Sequence, residues 1–261
     1  MAILEVTQRG AVAELVMNAP ERLNALSDEM LAALQESLNK LAKSRDIRVI
    51  TLAGTGKAFC AGHDLRQMTA MRQNPDSGAA AFKDLFDRCS AVMARIQSMP
   101  QPVIAQVHGI ATAAGCQLVA TCDLAVAATG TRFGVNGVNV GLFCSTPMVA
   151  LSRNIPRKQA FEMLTTGSFI DAERAQELGL INRVVAPEAL GSQTSELADQ
   201  IAGKLGVAVK IGKRAFYEQL QLPTAQAYEY TGQVMVENML HRDTEEGINA
   251  FLDKRDPTWT Q

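Results

Sequence analysis

The sequence is short of the residues that build metal centres and disulfide frameworks. It holds three histidines and no His-Glu-x-x-His string, which speaks against a histidine-based metal site. Its five cysteines are Cys60, Cys89, Cys116, Cys122 and Cys144, an odd set with no Cys-x-x-Cys spacing. A disulfide scaffold and a zinc site both fit poorly, and no metal is expected. Reduced thiols buried as small apolar groups fit better. No uninterrupted apolar run approaches the ~18 residues that a membrane helix needs, so no membrane insertion is expected. Lys and Arg number 25 against 27 for Asp and Glu, a net charge of −2, which leaves no basic excess for nucleic acid. Residues 1–5, Met1-Ala2-Ile3-Leu4-Glu5, place no basic stretch before an apolar block. No secretory signal is expected there, and the expected location is cytoplasmic. Two nucleotide loops are missing as well. Gly54-Thr55-Gly56-Lys57 has Thr51 and Ala58 where a phosphate loop needs glycine and Ser or Thr, so it reads as a tight turn. No Gly-x-Gly-x-x-Gly string occurs.

What is present is an ordinary globular composition. The chain has 261 residues, 47% apolar and 20% charged, enough for a substantial core. Apolar positions from Ile3 to Val16 alternate around Gly10 and read as a hairpin. Ser27 caps a helix that carries Met30, Leu31, Leu34, Leu38 and Leu41 at helical spacing. Residues 47–53, 102–107 and 124–128 are apolar runs that read as buried strands, with a helix over 80–96 between the first two. Strand, loop, helix and strand recur with crossovers, which argues for a parallel α/β sheet. Further on, Pro156 is expected at the first position of a helix, and Asp171 is expected to cap another that ends at Gly179. From Pro187 to Leu252 the pattern is of amphipathic helices broken near Gly206 and Pro223. The expected division is an α/β core over 1–195 and a helical region over 196–261.

Two small-residue segments stand after buried strands, Ala58 to Leu65 and His108 to Leu118. Ligands of open α/β sheets bind outside the carboxyl ends of strands. Small residues there let backbone N–H groups approach a ligand, and a helix N-terminus adds positive partial charge. Two such N–H groups aimed at one point would make an oxyanion hole. The plain alternative is close strand–helix packing, and the residues alone leave both open.

Asn24-Ala25-Leu26, Lys57 to Leu65, Val107 to Leu118, Cys122-Asp123 and Phe133-Gly134 together resemble the crotonase superfamily, which includes enoyl-CoA hydratases and isomerases. The likeness runs on through Thr166-Gly167, Ala172 to Asn182 and Gly247 to Arg255. Within the superfamily it is nearest to the enoyl-CoA hydratase domain-containing proteins of the third type. The resemblance implies a crotonase-like α/β spiral of ββα and βαβ turns, with a helical C-terminal region that forms a homotrimer or a dimer of trimers. It implies an acyl-CoA thioester as ligand, and no cofactor beyond the coenzyme A of that thioester. By position, the thioester oxygen would accept the backbone N–H groups of His63 and Ala114. Coenzyme A contacts would come from Ala58, Ala61, Asp64, Leu65 and Arg66, with Phe251 and Lys254 near the nucleotide.

The departure from the pattern lies in the acids. Hydratases that this chain resembles use two glutamates, at the positions of Gln117 and Gly137. An amide has no basic oxygen to take a proton from water, and glycine has no side chain at all. General acid–base groups contribute ~10²–10⁴-fold in rate, so standard hydration is not expected. His63 and Asp64 are candidate substitute bases, against plainer roles as a second-layer histidine and a helix cap. Cys144 is a candidate nucleophile with no identifiable base, and Ser145, Asn136 and Asn139 are polar neighbours. His108 reads as part of a turn. Met68, Met71 and Met93 fit an acyl wall or simple core packing. The implied activity is an enzyme of the hydratase/isomerase family that forms an enolate without a protein base, as in decarboxylation of a malonyl-type thioester. The alternative is a non-catalytic acyl-CoA binding or assembly protein on the same fold.

Overall fold

The computed structural model describes residues 2–260. Strands β1 (Leu4–Arg9) and β2 (Val12–Met17) form the expected antiparallel hairpin, turning at Gly10 with φ +58°. Helix α1 (Asp28–Leu41) starts where Ser27 accepts a hydrogen bond from the Met30 N–H, and it buries Met30, Leu31, Leu34 and Leu38. Then come β3 (Val49–Gly54), α2 (Leu65–Met71), α3 (Ala79–Ser98) and β4 (Val103–Val107). Short β5 (Ile110–Thr112) leads into α4 (Ala114–Thr121), followed by β6 (Leu124–Ala128) and β7 (Arg132–Gly134). After a 3-10 turn at Asn136–Val140 run α5 (Pro147–Asn154), α6 (Arg157–Thr166), β8 (Phe169–Asp171), α7 (Ala172–Glu177) and β9 (Arg183–Val185). The chain closes with α8 (Leu190–Ala202), α9 (Gly206–Gln219), α10 (Thr224–Met239) and α11 (Arg242–Leu252).

The main sheet has the order β1-β2-β3-β4-β6-β9, parallel from β2 onward. A second sheet, β5-β7-β8, is built from strands of three residues each. It was not legible in the apolar pattern, because so short a strand shows no periodicity. The core lies between the main sheet and α1, α3 and α4, and Phe59, Phe133, Leu15, Met17 and Ile50 are fully buried in it. Met93 is buried there, and Met68 and Met71 pack half-buried against it, which is the packing reading of all three.

Two expectations about helix boundaries are corrected. Pro156 is the N-cap of α6, with φ −54° and ψ 135°, and not its first helical residue. The C-terminal helices break a third time at His241, whose Nδ1 accepts the Asp243 N–H and caps α11. The division after residue 195 falls inside α8, a helix that packs on the sheet.

A buried ion pair fastens α9 to the sheet. Lys213 Nζ donates to Asp123 Oδ2 at 2.6 Å, to Ile96 O at 2.7 Å and to Gln101 O at 2.9 Å. Tyr217 donates to Asp123 Oδ1, and the Val103 N–H donates to Oδ2. Burial pulls the Lys213 ammonium down and pushes the Asp123 carboxyl up, while their mutual attraction opposes both shifts. The tail after α11 folds back: Arg255 forms a two-pronged ion pair with Glu246, and Trp259 packs on Gly247.

Candidate functional site

Three loops interlock at the carboxyl ends of β3 and β4. Asn24, fully buried, holds the first: its Oδ1 accepts the Ala19 N–H and its Nδ2 donates to Thr55 O and Ala58 O. The Cys60 N–H donates to Ile110 O, and the Thr112 N–H donates to Cys60 O. The Leu26 N–H donates to Gly62 O at 2.7 Å, and the Ala113 N–H to Gly134 O at 2.9 Å. His108 braces the turn at Gly56 through Nε2, in its expected role. Asn24 acts here as a positioning residue, a role beyond its place in the Asn24-Ala25-Leu26 string. Its φ of +51°, a conformation asparagine tolerates, is the local signal for such a position.

Gly62 lets the loops after β3 and β4 touch. Its φ is +89°, and a Cβ there would stand 3.0 Å from Ala113 Cβ and 3.2 Å from Ala114 N. Ala113 itself is held at φ 50° and ψ −119°, a conformation that costs a non-glycine residue about 1–3 kcal/mol. The strain turns the chain sharply from β5 into α4, so that the Ala114 N–H opens the helix. Among the described residues, no backbone carbonyl accepts the N–H of His63 or of Ala114. The structure therefore brings two unpaired donors to adjoining loops, one at the positive end of a helix dipole.

A groove of about 270 Å³ runs past the His63 loop, lined by Glu21, Arg22, Leu23, Ala25, Ala61, His63, Asp64, Leu65 and Arg66. Five of the expected site residues are thus together, and Ala58 lies buried behind them. Phe251 and Lys254 are exposed at the end of α11 and do not line the groove. A larger apolar cavity between α8 and α9 ends on Lys213, Asp123 and Tyr217, which are paired with one another and leave no reactive group.

The candidate bases have other employment. Asp64 caps α2: its Oδ1 accepts the N–H groups of Arg66 and Gln67, and Arg22 lies 3.5 Å from Oδ2. His63 leans edge-on against Phe86, with Nδ1 3.4 Å from Leu26 O. Burial, with Arg88 nearby, holds its pKa below the ordinary value, so the ring is neutral at pH 7. Its Nε2 is buried with no hydrogen-bond partner among the described residues, a poor setting for a base that must take a proton from water.

At the positions of the two acids, Gln117 is buried, and its Oε1 has no hydrogen-bond partner. Gly137 is closed off sterically. An added Cβ would meet Leu142 O at 2.2 Å and Cys144 Sγ at 2.9 Å. Nearby, Thr112 Oγ1 donates to Asn136 Oδ1 at 2.5 Å, and Asn139 braces Gly167. Ser145 is exposed and bonds only Phe143 O. All five cysteines are free and buried; burial pushes Cys60, Cys89 and Cys116 up to about 12. Among the described residues, no cluster of His, Cys, Asp and Glu could hold a metal, and no helix is long and apolar enough to cross a membrane.

The family pattern of enoyl-CoA hydratase/isomerase matches residues 7–261. The chain belongs to the enoyl-CoA hydratase/isomerase family. A human relative, enoyl-CoA hydratase domain-containing protein 3, mitochondrial, is 45% identical over 253 residues, covering 97% of this chain and 82% of its own. Its crystal structure superposes with a TM-score of 0.94 at 44% identity, covering 98% of this chain and all of the human one. A Mycobacterium smegmatis enoyl-CoA hydratase superposes with a TM-score of 0.95 at 51% identity, with 99% of each chain covered. The fold is therefore the crotonase-like spiral, with its helical C-terminal region. The vertebrate relatives are named as mitochondrial proteins, so the expected cytoplasmic location finds no support among them.

Proposed function

We propose that this hydratase/isomerase-family chain binds an acyl-CoA thioester with the thioester oxygen on the N–H groups of His63 and Ala114, and stabilises an enolate there. The observation that carries this reading is the pair of unpaired donors on adjoining loops, one held by the strained turn at Ala113. Fixed donors aimed at developing charge are worth ~10²–10³-fold in rate each. The groove beside them offers Ala61, Leu65 and Arg66 to coenzyme A, with Asp64 setting the start of α2 beneath it.

Standard hydration is not the reaction we assign. Gln117 cannot accept a proton from water, and Gly137 has neither an acid nor room for one. The chemistry that suits two N–H donors without a protein base is loss of CO2 from a malonyl-type thioester, in which the departing group leaves its electron pair on the enolate. We assign the C-terminal helices to assembly as a homotrimer or a dimer of trimers. Tyr228, Met235, Val236 and Leu240 of α10 and the adjoining turn are exposed apolar groups that such contacts would cover. Phe251 and Lys254 would then be offered to a neighbouring copy.

The test is turnover of malonyl-CoA, methylmalonyl-CoA and crotonyl-CoA by the purified protein, beside calorimetric titration with acetyl-CoA. Release of CO2 without hydration supports the reading. Binding without any turnover selects the non-catalytic acyl-CoA protein, and hydration of crotonyl-CoA at an ordinary enzymatic rate overturns it.

A further inference from the structure

We propose that the Cys144 thiol is the proton donor of this pocket, standing where the family's second acid would stand. The inference rests on the acyl-thioester reading above and adds a residue to it.

The geometry starts at Gly137. Cys144 Sγ lies 2.9 Å from where a Cβ on Gly137 would be, so the thiol fills the space that a side chain at that position would take. The Gly137 backbone N–H points at the sulfur and favours the thiolate, but burial outweighs it and keeps the thiol protonated at neutral pH. A general acid needs both features: a proton present before the step, and a donor waiting for the charge left behind.

The facing wall points to a ligand. Gln117 is only 5% exposed, and its Oε1 has no partner. It lies three residues after Ala114 on α4, so both share one helix face, and side chains on a helix lean towards its N-terminus. The amide therefore leans towards the end of α4 that carries the unpaired Ala114 N–H. The two walls are tied together, since the Ala113 N–H donates to Gly134 O and Thr112 Oγ1 donates to Asn136 Oδ1. The Gln117 amide and the Ala114 N–H thus share one face of α4, and the Cys144 thiol interacts with Cys116 of the same helix. An unpaired amide so deeply buried is costly unless a bound polar group completes it.

The step balances without a further reagent. The bond between the α-carbon and the carboxylate breaks, CO2 leaves, and the electron pair passes to the enolate held by the His63 and Ala114 N–H groups. The Cys144 S–H bond then breaks as a C–H bond forms on the α-carbon. The thiolate remains beside the Gly137 N–H until water returns a proton to it. One proton is consumed and one CO2 released.

The experiment has two arms, both on the full chain. In the first, methylmalonyl-CoA is turned over in D2O by the natural protein and by Cys144→Ala and Cys144→Ser. A thiol fixed on one face delivers deuterium to one face, so the natural protein gives a single configuration at the propionyl α-carbon and both variants give a mixture. Retention of the single configuration in Cys144→Ala overturns the proposal. In the second, chloroacetyl-CoA is bound and the protein is mapped by mass. Sulfur facing the α-carbon displaces chloride and forms a thioether on Cys144. Binding without a Cys144 adduct overturns the inference and leaves the acyl-thioester reading standing. Failure to bind any acyl-CoA overturns both.

Discussion

The carbonyl oxygen of Leu142 stands 2.2 Å from the point where a side chain on Gly137 would begin. The Leu142 N–H in turn donates to Gly137 O, so residues 137–142 close on themselves. The second acid of the family is therefore not a single substitution away. Its place is taken by the Leu142 carbonyl together with the Cys144 thiol, and the carbonyl cannot move aside as a flexible side chain can.

Gly137→Glu is expected to destabilise the protein by about 1–3 kcal/mol, the usual cost of forcing atoms into filled space. It should create no hydratase. The double variant Gln117→Glu/Gly137→Glu should remain without crotonyl-CoA hydration, while Gln117→Glu alone should fold with near-natural stability. Denaturant midpoints and hydration assays read both outcomes; gain of hydration in the double variant would show that the 137–142 turn opens.

Gly62→Ala tests the contact between the two donor loops. The new methyl group would press on Ala113 Cβ and on the strained turn, at a backbone φ of +89° that alanine resists. Displacing one donor should cost about 10²–10³-fold in turnover of the accepted thioester. Acetyl-CoA titration should show weakened binding. An unchanged rate would remove the Ala114 N–H from the mechanism.

His63 predicts a pH dependence of stability. Its folded pKa lies below the ordinary histidine value because the ring is buried. In the window from about pH 6.5 downward, the unfolded chain takes a proton that the folded chain refuses, so stability falls as pH falls. Urea midpoints at pH 7.5 and pH 5 should differ less in His63→Gln than in the natural chain. Equal differences would mean that the ring is protonated in the folded state.

The tail offers a spectroscopic readout, because Trp259 is the chain's single tryptophan. Arg255, with the Thr258 N–H, holds the Glu246 carboxyl down at about 2, so the clasp stays charged throughout the mildly acidic range. Glu246→Gln should release Trp259 from Gly247 and redden its emission at neutral pH. Emission unchanged by the substitution would show that the tail is held by other contacts.

Much of this was legible from residues with strong local chemistry. Ser27, Asp64 and Asp171 start helices because their side chains accept N–H groups that the first turn leaves unpaired. The runs at β3, β4 and β6 announced buried parallel strands. The donor loops were legible as small-residue segments, and the structure places the first along the groove with the second packed against it at Gly62. What escaped the sequence depends on contacts between distant or irregular segments. The strands of the small sheet are too short for a pattern. The closure of Leu142 on Gly137 brings Cys144 beside a glycine seven positions earlier, and no periodicity encodes that. The third break in the C-terminal helices falls at a histidine, a residue that seldom serves as a cap.

Lys213 has a consequence for how the chain comes apart. Its ammonium gathers the end of α3, the start of β4 and the residue before β6 onto one helix of the C-terminal region. A chain stopped after residue 195 would leave Asp123 anionic in an apolar setting, with neither its cation nor the Tyr217 hydroxyl. Breaking one side of such a pair costs about 3–5 kcal/mol, a large share of what holds a domain of this size together. The amides of β4 and those of α9 should therefore exchange with solvent in one shared opening event, the sheet and the last helices yielding as a single unit.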